Sequence, residues 1–86
     1  MDKSGTKSAR RKQRESWRKV TASVISAALR DHDMTQEDLA SKLGLTRETV
    51  GNMEAARRKI EVGDLIMIAQ AIGVDPERLF RRILGY

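Results

Sequence analysis

Hydrophobic positions recur at three- and four-residue spacing in five successive stretches of this chain, a spacing typical of amphipathic helices. The first stripe begins near Arg14, and its helix should end near Asp31 or His32. Two short stretches follow around Gly44, a fourth runs from about Val62 to Ile72, and a fifth closes the chain. No stretch alternates with a period of two residues. The pattern therefore predicts an all-α fold of five helices without strands.

The stretch from Thr35 to Glu54 predicts two short helices that pack crosswise around one turn. Gly44 stands where the chain must leave the first helix through a left-handed residue, a conformation that glycine adopts without steric cost. The inward apolar positions are Leu39 and Leu43 on the first helix, and Val50 and Met53 on the second. This arrangement is typical of a helix-turn-helix, which lays its second helix in the DNA major groove. An ordinary helical hairpin of a small α-protein is the alternative.

Capping residues support the same boundaries. Thr35 with Asp38 three residues later resembles a capping box, and Thr46 is a favourable N-cap for the second helix of the pair. Asp75 followed by Pro76 predicts the start of the fifth helix, because proline is tolerated at the first helical position.

The composition narrows the class of protein. A chain of 86 residues has room for one small domain, and the absence of cysteine excludes disulfides and thiolate metal sites. No apolar run reaches the roughly 20 residues of a membrane span. The single histidine, His32, has no clustered ligand or catalytic partner in the sequence. We therefore expect a non-enzymatic, cofactor-free cytoplasmic protein.

Positive charge is concentrated at the amino terminus. Residues 1–19 carry eight Lys and Arg against two acidic residues, a net charge of +6, and the remainder carries −1, which together give the +5 of the chain. Because residues 1–9 lack hydrophobic periodicity, residues 1–13 are predicted to be a largely disordered arm before a domain over residues 14–86. The alternative is that the first helix extends back towards Ser8, since Ala, Arg, Lys, Gln and Glu all favour helix. Such an arm suits a polyanion, although a solubilising tail is the alternative. The candidate phosphate-binding residues there are Arg10, Arg11, Lys12 and Arg14.

Several motifs at consistent mutual spacing resemble the phage-repressor/Cro-like helix-turn-helix family, also called the Xre family. The matching segment runs roughly from Ile25 to Ile83, and its small size is most similar to the controller proteins of restriction–modification systems. The motifs are Thr35-Gln36-x-x-Leu39-Ala40, Gly44, Thr46-Arg47-x-Thr49-Val50, Glu54, Leu65-x-x-Ile68-Ala69-x-Ala71-Ile72-Gly73-Val74 and Leu79-Phe80. The resemblance implies a five-helix repressor-like DNA-binding domain whose helices 2 and 3 form the helix-turn-helix. It also implies a bacterial or phage protein that is associated with the nucleoid when bound to DNA.

The resemblance and the known docking geometry place base contacts at the start of helix 3. Arginine pairs with guanine, asparagine with adenine, and glutamate accepts from cytosine. The expected base contacts are Arg47, Glu48, Gly51 and Asn52, and Gly51 is expected to allow close approach of the backbone to DNA. The expected phosphate contacts, besides those of the arm, are Gln36, Thr46, Thr49, Arg57, Arg58 and Lys59.

Two positions depart from the family pattern. Members usually have glycine where this chain has Ala56, so helix 3 is expected to end differently or to run further. Members also often pair the Glu54 carboxylate with an arginine of helix 1, but Leu29 occupies that position. Glu54 is therefore expected to pair with Arg57 or Arg58.

One such domain makes few base contacts, so we expect a homodimer on double-stranded DNA with an inverted-repeat operator, acting as repressor or controller-type autoregulator. Surplus apolar surface on the last two helices suggests the interface, although some of it must also close the monomer. The candidates are Ile66, Met67, Phe80, Ile83 and Leu84. A protein antagonist is a possible further partner. The alternative function is an antitoxin that neutralises a toxin and regulates its own operon.

Overall fold

The computed structural model describes residues 3–86, with side chains from residue 8 onward, as five α-helices. They are α1 (Lys3–Asp31), α2 (Gln36–Leu43), α3 (Arg47–Glu54), α4 (Val62–Ile72) and α5 (Pro76–Leu84). The predicted all-α class is confirmed, as are the predicted end of α1 and both ends of α4. In the described part of the chain there is no strand.

The apolar stripes of all five helices meet in one core. The largest side chains removed from solvent there are Ile25, Leu39, Val50, Met53 and Ile68. Small residues allow the close helix crossings between them, because Ala28 of α1, Ala40 of α2 and Ala69 of α4 are also buried. Leu79 of α5 closes the cluster. A core of this kind fixes the angle at which α3 crosses α2, and therefore which face of α3 remains outside.

Every helix ends through a residue with positive φ. Glycine occupies this position after α2, α4 and α5, whereas Asp33 follows α1 with φ of 51° and Ala56 follows α3 with φ of 59°. In the turn after α3, the Arg57 amide donates to the Asn52 carbonyl at 2.9 Å. This is the six-residue closing bond of the Schellman motif. The expectation that Ala56 would change the end of helix 3 is thus wrong, because α3 ends at the left-handed turn even without glycine.

Helix α1 is longer than the sequence predicted. It begins at Lys3, so the prediction of a disordered arm is wrong over the residues from 3 to 13, while Met1 and Asp2 lie outside the described residues. Residues 8–16 are all exposed, which explains why no apolar stripe marks this part. Extension of an existing helix needs no new nucleus, and this segment is rich in residues with high helix propensity.

The candidate interface residues divide into two groups. Ile66, Met67, Phe80 and Leu84 expose between 39% and 51% of their surface, whereas Ile83 exposes 6%. Ile83 therefore packs within its own subunit and has little area left for another chain. Its assignment to an intersubunit contact is corrected to a place in the monomer, because the inner face of α5 carries it beside Leu79.

Candidate nucleic-acid interface

Helix α3 buries one face and leaves the other free. Val50 and Met53 are 0% and 1% exposed, since they pack against the α2 residues Leu39 and Ala40. At about 100° per residue, this packing turns the side of α3 that carries Arg47 and the following polar residues outwards.

That outer face forms a shallow concavity together with the start of α2 and the end of α3. Its lining brings together all four predicted base-contact residues and two of the predicted phosphate contacts. The lining residues are Gln36, Arg47, Glu48, Gly51, Asn52, Glu54, Ala55 and Arg57. The sequence patterns pointed to six of them; Glu54 was expected only as an ion-pair partner, and nothing pointed to Ala55.

Two threonine caps fix the amino-terminal ends of α2 and α3. The Thr46 hydroxyl accepts from the Thr49 amide at 3.1 Å and lies 2.9 Å from the Thr49 hydroxyl. At α2, the Thr35 hydroxyl accepts from the Asp38 amide at 3.1 Å, and the Thr35 amide donates to Asp38 Oδ2 at 3.0 Å. The predicted capping box is therefore present. The bond from the Thr35 amide is the main reason that the pKa of Asp38 lies below its ordinary value.

Gln36 connects the two helices across the concavity. Its side-chain amide donates to Glu54 Oε2 at 2.6 Å, and a β-carbon added to Gly51 would lie 3.6 Å from Gln36 Oε1. No salt bridge joins Glu54 to Arg57 or Arg58 in the described chain, so the expected pairing is wrong. The two partners are 18 residues apart and meet because α2 and α3 cross, which no local spacing reveals.

Arg47 reaches only a weak ionic partner. Its guanidinium lies 3.9 Å from the Glu37 carboxylate, and both side chains are more than two-thirds exposed. An exposed pair at this distance contributes little to stability. The arginine is therefore held loosely, with its donors available to another acceptor.

The remaining predicted phosphate contacts lie outside this concavity. Arg58 and Lys59 are exposed in the α3–α4 connection, directly after Arg57, which lines the concavity. Lys59 instead lines a second groove, which α1 completes. The other residues of that groove are Arg14, Trp17, Arg18, Thr21, Ile60 and Glu61. The structure thus brings part of the basic amino-terminal segment against the α3–α4 connection.

Two properties of the described residues bear on other kinds of site. No group of three or more potential metal-ligating side chains occurs among them. No helix in the same part of the chain has the length and hydropathy required to cross a bilayer.

The helix-turn-helix family model HTH_3 matches residues 25–79. The restriction–modification controller protein C.Esp1396I superposes with a TM-score of 0.74 at 26% identity, covering 79% of this chain and 90% of that one. A tetramer of that protein has been solved with its natural 35 base-pair operator. The controller C.AhdI from Aeromonas hydrophila has a TM-score of 0.68 at 25% identity, with 73% and 96% covered.

An XRE-family-like protein from Pseudomonas syringae pv. tomato str. DC3000 has a TM-score of 0.64 at 26% identity and covers 94% of both chains. No curated protein sequence is similar enough to be matched to this chain. The family model and these structures confirm the resemblance to Xre-like regulators of the controller type.

Proposed function

The chain belongs to the HTH_3 helix-turn-helix family, and on this basis we propose that it is a sequence-specific DNA-binding regulator of transcription. It acts as a homodimer on an inverted-repeat operator, as a repressor or as a controller of its own gene. The observation that carries the proposal is the outer face of α3, where polar side chains surround an open concavity while the opposite face is fully buried.

The base contacts are assigned to the start and middle of that face. Arg47 donates in parallel to guanine O6 and N7, Asn52 pairs with adenine N6 and N7, and Glu48 accepts from cytosine N4. Gly51 lies between them and has no side chain, so the helix backbone can approach a base pair there. The loose contact of Arg47 with Glu37 supports this role, because little has to be broken before the guanidinium turns to DNA.

Phosphate contacts surround this reading face. Thr46 and Thr49 lie at the amino-terminal end of α3, where free amides and the helix dipole favour anions. Gln36 holds the corresponding place on α2, and its bond to Glu54 keeps it beside the concavity. Arg57, Arg58 and Lys59 supply positive charge from the α3–α4 connection. These contacts position the domain, while the bases determine sequence preference.

The dimer contact is assigned to the exposed apolar residues of α4 and α5. Ile66, Met67, Phe80 and Leu84 remain after Ile83 is removed from the predicted set. Two copies joined through these helices present two α3 helices, which requires half-sites about 10 bp apart or a multiple of that spacing.

Footprinting on the DNA upstream of the protein's own gene tests the proposal. We expect protection of an inverted repeat that survives excess random-sequence competitor. Arg47→Ala should weaken binding by about 1–3 kcal/mol per half-site, whereas Lys42→Ala, which removes the same charge from α2 outside the concavity, should have little effect.

Two results would contradict this assignment. In the first, random-sequence competitor displaces the protein from the upstream fragment as efficiently as unlabelled upstream DNA does. Such a result would argue against sequence-specific binding. Equal losses in the Arg47 and Lys42 variants would argue against the α3 face. Failure to bind the upstream DNA at all would contradict both the regulator and the antitoxin alternative, because each is expected to regulate its own gene or operon.

A further inference from the structure

One side of α1 is apolar in its carboxyl-terminal half and basic in its amino-terminal half. Ala22, Ile25 and Leu29 bury this face in the core, being 1–3% exposed. Continued towards the amino terminus at the same three- and four-residue spacing, the stripe is occupied by Arg18, Arg14 and Arg11. Residues at this spacing share one side of a helix. The basic stripe therefore points to the side on which the body of the domain lies.

The groove beside α1 gives independent evidence for that direction. Arg14 and Arg18 line it from α1, and Lys59, Ile60 and Glu61 line it from the α3–α4 connection. Three positive charges therefore line the groove against one negative charge. Arg18 is only partly exposed, whereas Arg14 and Arg11 are exposed. The positive charges of the helix therefore continue those of the connection that follows α3.

We propose that Arg11, Arg14, Arg18 and Lys59, here called the α1 ridge, form a one-sided binding surface for the phosphates of duplex DNA next to the half-site. This inference rests on the proposed function for its partner and adds a second contact region to it. Phosphate binding by the ridge carries no base preference. It raises affinity and extends the length of DNA that each subunit covers.

The length of α1 sets the additional reach. Arg11 and Arg18, the two ends of the ridge on α1, are seven residues apart, which is about 10 Å along the helix at 1.5 Å per residue. This corresponds to about 3 bp of duplex, since each strand rises about 3.4 Å per phosphate. The ridge therefore contacts phosphates over about 3 bp next to the sequence read by α3.

Charge favours DNA over a second copy of the chain as the occupant. Glu15 is the sole acidic residue in the sequence between residues 3 and 30, so two α1 helices laid side by side would repel each other. An acidic polymer with regularly spaced charges fits instead, and its counterions are released on contact.

The helix supplies a matched control for the direction of the ridge. Lys12 and Lys19 lie about 125° and 105° around the helix from the centre of the basic stripe, at 100° per residue. The ridge therefore leaves out Lys12, although the sequence pattern places it among the candidate phosphate contacts. The test variant is Arg11→Gln with Arg14→Gln, and the control is Lys12→Gln with Lys19→Gln. All four residues are exposed, and both double variants lower the charge of the full chain by two.

Binding is measured as a function of salt on a random-sequence duplex of about 40 bp, which exceeds two half-sites at one or two turns of about 10 bp. The slope of log affinity against log salt should fall by about two per chain in the arginine variant, since each phosphate contact contributes about 0.9. The lysine variant should keep the slope of the unaltered protein. On the upstream fragment, the protected region should shorten at both outer ends only in the arginine variant.

Equal slopes of log affinity against log salt for the two variants would contradict the proposed ridge. Binding would then depend on the number of positive charges and not on the side of α1 that carries them. Tighter binding to a single-stranded 40-mer, to the equivalent RNA duplex or to phosphatidylserine vesicles would overturn duplex DNA as the occupant. If the arginine variant alone loses slope while no sequence is preferred, the ridge stands and the proposed regulator function fails. If the upstream repeat is protected and the two variants behave alike, the regulator function stands and the ridge fails.

Discussion

Replacing Ala56 with glycine should stabilise the domain. Ala56 has φ of 59°, and the left-handed region costs a residue with a β-carbon about 1–2 kcal/mol. Glycine removes that cost but loses about 0.4–1 kcal/mol through the greater freedom of the unfolded chain. Because the Ala56 methyl group is partly exposed, little burial is lost. These ranges leave a net gain of about 0–1.6 kcal/mol. The midpoint of about 0.8 kcal/mol corresponds to about 3–6 °C in Tm for a domain of this size.

The neighbouring alanine provides the control. Ala55 has φ of −86°, so Ala55→Gly relieves no strain and should lower Tm through the unfolded chain alone. Thermal unfolding followed by circular dichroism at equal protein concentration compares the two variants, since self-association makes Tm depend on concentration. A lower Tm for Ala56→Gly, or equal shifts for both variants, would refute the assignment of backbone strain to this turn.

Four further substitutions test other parts of the structure. Gly51→Ala should raise Tm, because alanine is favoured within a helix by about 1 kcal/mol, and should weaken DNA binding; unchanged affinity would remove the need for close approach. Asp38→Asn should lower Tm at pH 7, and the difference should narrow as the pH falls below the ordinary pKa of an aspartate. A carboxyl group whose pKa is lowered in the folded state stabilises the fold at pH values above its ordinary pKa, and this stabilisation is lost as the pH falls through the folded-state pKa. A difference in Tm that does not depend on pH would exclude the charge of Asp38 as the cause. Phe80→Asp should leave the fold intact and weaken dimerisation in sedimentation, whereas Ile83→Ala should destabilise the fold by about 2–4 kcal/mol; the reverse pattern would contradict their placement.

Most of the fold could be predicted because its signals are local. A cap such as Thr35 and its partner Asp38 are three residues apart, and an apolar stripe repeats within a single helix. The buried face of α3 followed from this spacing, and so did the exposed face assigned to DNA reading. Burial of Val50 and Met53 confirms that orientation.

The remaining features depend on contacts between elements or on the absence of an apolar signal. Gln36 meets Glu54 only because two helices cross, and Ile83 could be placed inside only once α5 had been packed against α1 and α4. The exposed start of α1 lacks a hydrophobic stripe, so the same residues that favour a helix also looked like a disordered arm. At Ala56, the chain adopts the left-handed turn that leads to α4, although alanine disfavours that backbone conformation.

Because α1 is continuous, it fixes the rotation of the basic stripe about the helix axis relative to the buried core residues. Both lie on one rigid helix, so their relative orientation depends on the number of residues between Arg18 and Ala22. An insertion of one residue there would rotate the basic stripe by about 100° away from the α3–α4 connection. An insertion of four would nearly restore its direction and move it outward by about 6 Å. The number of residues in this segment thus determines the direction of the basic stripe relative to the core. Relatives with similar residues but an insertion here would present the stripe on a different side of the domain.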